Sequence, residues 1–168
     1  MTNDMTKGAI LPMLIRFTIP LVLGNLLQLT YNAIYGIVVG QYVGKEALAA
    51  VGTSNPLVTL MILFLQGICL GAGILIGTLY GAKDFETLKR QISTAMMAGI
   101  GFSLALTVTA LVFAPMLLAV LQVDGAIRME AAAYLRIIMC GLVFNFVYNF
   151  FASTLRAMGD SKSPLYFL

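Results

Sequence analysis

Long runs of residues without a single charge dominate the chain. They extend over residues 17–44, 47–82, 91–123 and 137–155. An α-helix needs roughly 20 predominantly apolar residues to cross about 30 Å of hydrocarbon, and each run is about that long or longer. None of the runs alternates apolar and polar residues with a period of two, as the strands of a membrane β-barrel do. The pattern predicts an all-α integral membrane protein built as a polytopic helical bundle.

Prolines and capping residues indicate where these spans begin and bend. The triplet Ser54-Asn55-Pro56 is typical of a helix start, because proline suits the first helical position and the residues before it cap the helix. Residues 45–53 are therefore predicted to form a surface turn or a short interfacial helix. Pro20 and Pro115 fall inside spans and predict kinks. The predicted spans are 14–40, 56–81, 92–120 and 132–155, with a fifth that starts near residue 163 and is cut off at residue 168.

Composition and charge agree with a membrane location. Hydrophobic residues make up 60% of the 168 positions and charged residues 10%, whereas a soluble domain is about 25% charged. The net charge of +3 does not predict a nucleic-acid partner, because basic residues at cytoplasmic helix ends explain it. The basic residues are concentrated in the loops on one side of the predicted spans. This asymmetry predicts a multi-pass protein of the cytoplasmic membrane with a cytoplasmic N-terminus. On that topology seven of the ten basic residues lie inside: Lys7, Arg16, Lys83, Lys89, Arg90, Arg156 and Lys162.

Polar side chains recur inside the spans at helical spacing. Steps of three or four residues place the members of each set on one face of their helix. Such residues usually face a bundle interior or a water-filled cavity, although amides also join helices through hydrogen bonds. Their alignment over several turns favours a shared cavity, with Thr59 and Ser153 continuing two of the stripes. The candidate residues of a substrate pathway are Asn25, Gln28, Tyr31, Asn32, Tyr35, Asn55, Gln66, Asn145 and Asn149.

Glycines of the second span form two interleaved rows at four-residue spacing. One row is Gly67 and Gly71, and the other is Gly73, Gly77 and Gly81. Small residues at this spacing let two helix backbones approach closely in lipid. The rows therefore predict close helix packing, and smooth contacts of this kind would also allow helices to slide or bend during a conformational cycle.

The sequence lacks the residues of common catalytic and cofactor sites. It contains no histidine and no glycine-rich phosphate loop, so ATP hydrolysis and histidine-based catalysis are disfavoured. Cys69 and Cys140 fall inside spans and are interpreted as small packing residues. All seven acidic residues lie in predicted loops or at helix ends. The sequence therefore predicts a protein that is not an enzyme and uses no cofactor, and it assigns no metal site.

Several short segments follow one another in a characteristic order. The most specific is the loop after the fourth span, residues 155–164, with the sequence LRAMGDSKSP. In their order and spacing these segments resemble the multidrug and toxic compound extrusion (MATE) transporters over essentially the whole chain. The other matching segments are Lys7–Ile10, Phe17–Leu21, Gly24–Gln28 with Tyr31-Asn32, Val38–Gly40, Gly44–Gly52 and Tyr80–Asp84.

This resemblance implies twelve helices in two six-helix lobes, of which residues 1–168 would form part of the N-terminal lobe. It implies export of drugs, organic cations and other amphipathic compounds by alternating access, in exchange for Na⁺ or H⁺ as the coupling ion. The implied partners are the lipid bilayer, these small compounds and the remaining transporter helices of a longer chain. The piece alone is not expected to transport.

One position departs from the family pattern. Many members carry an aspartate in the first helix, three residues after the asparagine of the Tyr-Asn pair, as a candidate proton or sodium site. This chain has Tyr35 there. A phenol can hydrogen-bond to a ligand or stack on a cation, but it is a poor replacement for a titrating carboxylate. The coupling ion is therefore expected to bind elsewhere in the full-length protein.

Two other interpretations remain open. A lipid-linked saccharide flippase of the same superfamily would share the architecture. Basic residues in the central cavity would distinguish it, and no lysine or arginine lies in the middle of a predicted span. A non-transporting membrane subunit or remnant would instead pack against partner proteins.

Overall fold

The computed structural model describes residues 10–121, 123, 125 and 127–166, and all regular secondary structure in them is helical. Three of the helices are long and apolar enough to cross a membrane, and a bent pair forms a fourth span if it is counted as one. The predicted all-α helical membrane bundle is confirmed. The helices are α1 (Ile10–Val38), α2 (Lys45–Gly81), α3 (Phe85–Val120), α4 (Arg128–Cys140), α5 (Leu142–Ala157) and α6 (Ser163–Tyr166).

The boundary between α1 and α2 lies earlier than predicted. A π-helical segment, Val39–Val43, extends α1, and Gly44 follows it with a φ of 113°, a value that favours glycine. Helix α2 then runs without interruption through Pro56, so the prediction of a new helix at that proline is wrong. A break there would leave up to four orphan backbone groups on each side in hydrocarbon, whereas an internal proline removes one hydrogen bond. Pro20 and Pro115 likewise lie inside α1 and α3.

The fourth span is broken rather than continuous over 132–155. Helices α4 and α5 meet at Gly141 with a bend of 43°. The Gly141 N–H donates to the carbonyl of Ile138, three residues back, which tightens the end of α4. Thr107 of α3 donates its hydroxyl to the Met139 carbonyl at 3.2 Å. A neighbouring helix thus supplies a partner for a carbonyl at the bend, where the regular helical bonds are interrupted.

The core of the protein lies between α2, α3, α4 and α5, which all pack on one another. Helix α1 stands outside this core and contacts α6 and its own π-helical extension. Only 6% of its most apolar window is buried, compared with 22% for α2 and 28% for α3. The central cluster consists of Val58, Leu65, Cys69, Ala72, Ile76, Leu88, Ala110, Ala114, Leu135, Met139, Leu142, Phe146 and Phe150.

Glycine permits one of the closest contacts in this bundle. The fully buried ring of Phe146 on α5 lies directly against Gly99 of α3, where any Cβ would overlap the ring. Gly77 of α2 lies against the backbone of Ala157 on α5. The predicted glycine rows are only partly used, because Gly67, Gly71 and Gly81 have no described neighbour within 4 Å of an added Cβ.

Replacement of Gly99 by alanine tests the contact with Phe146. We expect Gly99→Ala to destabilise the full-length protein by about 1–3 kcal/mol, because the added methyl group overpacks a fixed aromatic ring. Thermal unfolding of the purified protein in detergent measures the loss. Gly101→Ala is the matched control, since a Cβ at this exposed position meets nothing within 4 Å. Equal unfolding temperatures for the two variants would contradict the packing described here.

Candidate substrate cleft

Helices α1, α2 and α5 enclose a cleft of about 630 Å³ that continues to the segment after α5. Its walls combine apolar side chains with hydrogen-bonding groups, which suits an amphipathic ligand. Each of the three helices contributes carboxamides to it, so the cleft is polar although the helices are apolar overall. The carboxamides that line it are Asn25, Gln28, Gln66, Asn145 and Asn149.

Four of the predicted pathway residues lie outside this cleft. On α1 the lining ends at Gln28, so Tyr31, Asn32 and Tyr35 lie beyond it on the same helix. Tyr31 and Tyr35 are 69% and 40% exposed. The hydroxyl of Tyr35 lies near that of Tyr134 on α4, and Asn55 of α2 is exposed outside the lining. The stripe of polar residues on α1 therefore extends beyond the part of this helix that lines the cleft.

The cleft also contains polar residues that were not among the sequence candidates. Tyr148, Ser161 and Arg156 line it, as does Ser153, which continues the polar stripe of the fourth predicted span. Arg156 follows Asn149 and Ser153 at steps of four and three residues, so helical phase alone would have placed it on the same face. Its charge is used above for the predicted topology only.

Two asparagines of α5 hold each other in place. The Nδ2 of Asn149 donates to the side-chain oxygen of Asn145 at 2.9 Å and to its backbone carbonyl at 2.8 Å. This pairing fixes the orientation of both amides. It leaves the Asn145 amino group and the Asn149 oxygen as a donor and an acceptor for a ligand or water.

The contact between α2 and α5 is close where it borders the cleft. The Ser153 hydroxyl donates to the Cys69 carbonyl at 2.9 Å and so joins the two helices. Gly73, one turn further along α2, leaves room for this bond, since a Cβ there would stand 2.6 Å from Ser153 Oγ. A small residue and an interhelical hydrogen bond thus act together, which is a common way to pack helices in lipid.

Comparison with known proteins identifies the family. The sequence profile of the MatE family matches residues 20–168. The chain belongs to the MatE family. This result confirms the resemblance to MATE transporters that the motifs indicated.

Three curated relatives illustrate this membership. "Probable multidrug resistance protein YpnP" of Bacillus subtilis (strain 168) is 30% identical over 98% of this chain and 37% of its own length. "Probable multidrug resistance protein YoeA" of the same strain is 34% identical over 99% of this chain and 36% of its own length. "Multidrug export protein MepA" of Staphylococcus aureus (strain MRSA252) is 24% identical over 91% and 34%. The chain thus spans little more than a third of these relatives, and no solved structure matches it significantly.

The charge distribution of the cleft in this MatE chain is simple. Among the described lining residues there is no carboxylate, and Arg156 is the charged group. The described residues also contain no cluster of histidine, cysteine and acidic side chains that would hold a metal ion. This wall of the cleft therefore acts through hydrogen bonds and one positive charge.

A buried aspartate orders the turn after α5, part of which lines the cleft. Asp160 accepts the backbone N–H groups of Lys162 and Ser163, both at 3.0 Å, and the Ser163 hydroxyl at 2.6 Å. The hydroxyl bond is the main reason that the pKa of the Asp160 carboxyl lies below its ordinary value. Burial acts in the opposite direction, and the backbone N–H groups reinforce the decrease. The turn carries Ser161 and Pro164 into the cleft wall.

Replacement of Gly73 tests whether the contact between α2 and α5 shapes the cleft. We expect Gly73→Ala to displace Ser153, weaken its bond to Cys69 and lower the stability of the full-length protein by about 1–3 kcal/mol. Thermal unfolding in detergent measures the effect. Gly71→Ala on the same helix is the control, because nothing lies within 4 Å of a Cβ there. A Gly73→Ala protein as stable as this control would show that the two helices are not held at this point.

The Asp160 turn predicts a specific pH dependence. A carboxyl with a lowered folded-state pKa stabilises the protein above the unfolded pKa, about 3.9, and this stabilisation is lost as pH falls through the folded-state pKa. We expect Asp160→Asn to lose about 1 kcal/mol at pH 7, and the difference from wild type to shrink in acid. Unfolding measured across this pH range checks the prediction. The exposed Glu86→Gln serves as the control, and a difference that stays constant into acid would contradict the assigned cause.

Proposed function

We propose that this chain is part of the N-terminal lobe of a secondary antiporter rather than an enzyme. The protein would export drugs and organic cations across the cytoplasmic membrane in exchange for Na⁺ or H⁺, with its N-terminus in the cytoplasm. The observation that carries the proposal is a cleft lined by carboxamides between helices that are long and apolar enough to cross a membrane. Polar groups are costly at such depth and usually mark a transport pathway. The names of the multidrug relatives support the same activity.

The packing of α1 supports an alternating-access cycle. The α2–α5 bundle has a continuous buried core, whereas α1 forms one wall of the cleft and has few contacts with that bundle. Movement of α1 relative to α2 and α5 would change access to the cleft without disturbing the core. In this proposal the remaining helices of the full-length protein complete the pathway and enclose α1.

The coupling ion is proposed to bind outside the described cleft. No carboxylate lines this cleft among the described residues, and Tyr35 occupies the family's aspartate position. Proton or sodium coupling by a carboxylate would therefore depend on a residue in another part of the full-length protein. The described residues would bind the transported compound.

A lipid-linked saccharide flippase of the same superfamily is the second candidate function. Arg156 favours it to a degree, because a guanidinium in the cleft suits a lipid phosphate. The residue lies in the last turn of α5 and is the single charge of the described lining, whereas the flippase interpretation calls for a basic cluster. Antiport of small amphipathic compounds therefore remains the first proposal.

Efflux from cells tests the proposed function. The complete reading frame, expressed in a host that lacks its own multidrug pumps, is expected to lower the accumulation of a fluorescent cation such as ethidium. Collapse of the Na⁺ or the H⁺ gradient with a selective ionophore should abolish the effect and identify the coupling ion. Accumulation equal to that of the empty vector, with the protein shown in the membrane, would refute the proposal.

A pair of asparagine variants connects this activity to the cleft. Asn149→Ala removes a paired amide from the lining and is expected to reduce efflux about fivefold, the equivalent of roughly one hydrogen bond. Asn55→Ala, which removes an exposed amide of α2 outside the cleft, is expected to leave efflux unchanged. Equal loss in both variants would show that the described cleft is not the pathway.

A further inference from the structure

Arg156 gives the cleft a property that simple cation export does not require. Its side chain lines the cleft from the last turn of α5, and Cys69 of α2 lines the same cleft. Guanidinium is permanently charged and presents a planar set of donors that matches a carboxylate or a phosphate. On the basis of the proposed function, we infer that Arg156 forms a subsite for an anionic oxygen group, so that the cleft favours zwitterionic amphipathic compounds over simple cations.

The donors of Arg156 are only partly used within the protein. Its Nε donates to the Ala152 carbonyl at 3.0 Å, one turn back on the same helix. In the part of the chain that the structure describes, the two terminal amino groups form no hydrogen bond or salt bridge. The Nε bond fixes the orientation of the guanidinium and leaves its two terminal amino groups for a ligand.

Asp160, the carboxylate closest in sequence, does not neutralise this arginine. Its oxygens accept three hydrogen bonds from Lys162 and Ser163 in its own turn, and the residue does not line the cleft. The side chain of Lys162 is exposed and also lies outside the lining. Arg156 is therefore the charged side chain that a ligand would contact among the described lining residues.

Neutral groups surround the charge and suit the rest of an amphipathic ligand. Ser153, Ser161 and Tyr148 bring hydroxyl groups to the same end of the lining, and the carboxamides lie along α1, α2 and α5. The Ser153 and Tyr148 hydroxyls donate to the carbonyls of Cys69 and Pro164. A carboxylate or phosphate would therefore accept from the guanidinium and from the Ser161 hydroxyl, while the apolar walls hold the body of the molecule. A compound with only a cationic group loses these bonds and places like charges together.

An arginine at a helix C-terminus also has a purely structural role. It compensates the helix dipole and anchors the helix end at the membrane surface. That role affects stability and topology for every substrate alike. It does not distinguish two compounds that differ only in a carboxylate, and this difference provides the test.

The experiment uses a rhodamine with a free carboxylate, which is zwitterionic, and its methyl ester, which is a simple cation. Binding of both dyes to the purified full-length protein is measured by fluorescence polarisation, and transport is measured in phosphatidylcholine vesicles under imposed Na⁺ and H⁺ gradients. We expect wild type to prefer the zwitterion. Arg156→Gln should reduce binding of the zwitterion about two- to fivefold and leave the ester unchanged or better bound.

Two further variants distinguish the effect of a positive charge in the cleft from that of a positive charge nearby but outside it. Arg156→Lys keeps the positive charge and is expected to retain most of the preference for the zwitterion. Lys162→Gln removes a neighbouring charge outside the lining and should change neither dye. A preference that is unchanged in Arg156→Gln, or an equal loss for both dyes, would overturn the inference.

The two assays distinguish failure of the inference from failure of the proposed function. Transport of both dyes with a ratio that is insensitive to Arg156 would refute only the subsite. Binding of the zwitterion that depends on Arg156, without transport of either dye by wild type, would refute only the proposed export.

Addition of phosphatidylglycerol to the vesicles identifies the source of the anion. If it suppresses the preference, a lipid headgroup competes for the same subsite, and if it has no effect, the subsite serves the transported compound alone; both outcomes support the subsite.

Discussion

The close contact between α2 and α5 determines the geometry of the rest of the described structure. The hydrophobic effect does not drive two apolar helices together in lipid, because lipid tails are as apolar as their side chains. Their contact depends on van der Waals packing and on hydrogen bonds. Gly73 provides the space, and Ser153 provides a hydrogen bond of 2.9 Å to the Cys69 carbonyl. The same contact places Gln66 on one side of a single cleft and the carboxamides of α5 on another. The packing interaction therefore also creates the candidate site.

The hydrocarbon environment explains where the helices differ from their predicted bounds. The charge-free runs predicted the existence of the spans correctly, because this property depends on composition alone. The bounds failed at Pro56 and at Gly141, because they depend on which backbone groups find partners. By continuing through the proline, helix α2 loses one backbone hydrogen bond instead of the several that a break would cost, and the bend of 43° is accompanied by a bond from Thr107 of a different helix. No local signal in the sequence predicts a hydrogen bond that comes from a different helix.

The candidate site could also be predicted from the sequence only in part. Helical phase predicts polar faces on α1, α2 and α5, and five of the predicted carboxamides line the cleft. It did not show how far along α1 the shared surface extends, since the tilt of a helix is set by its neighbours. For that reason Tyr31, Asn32 and Tyr35 were grouped with Gln28 although they lie beyond the lining. Arg156 was in phase with the stripe but was interpreted by its charge rather than by its position.

The distribution of chemistry between the walls has a consequence for the proposed cycle. The positive charge and the paired asparagines belong to α5, which is part of the packed core, whereas α1 contributes Asn25 and Gln28 from a helix with few contacts to that core. A ligand would thus be oriented by the wall that stays fixed and covered by the wall that is free to move. Because α1 contributes only neutral amides, its movement would alter access and a few hydrogen bonds without separating opposite charges in the membrane. In the proposed cycle this arrangement would keep the free-energy difference between an open and a closed cleft small, as an exchanger that must visit both states requires.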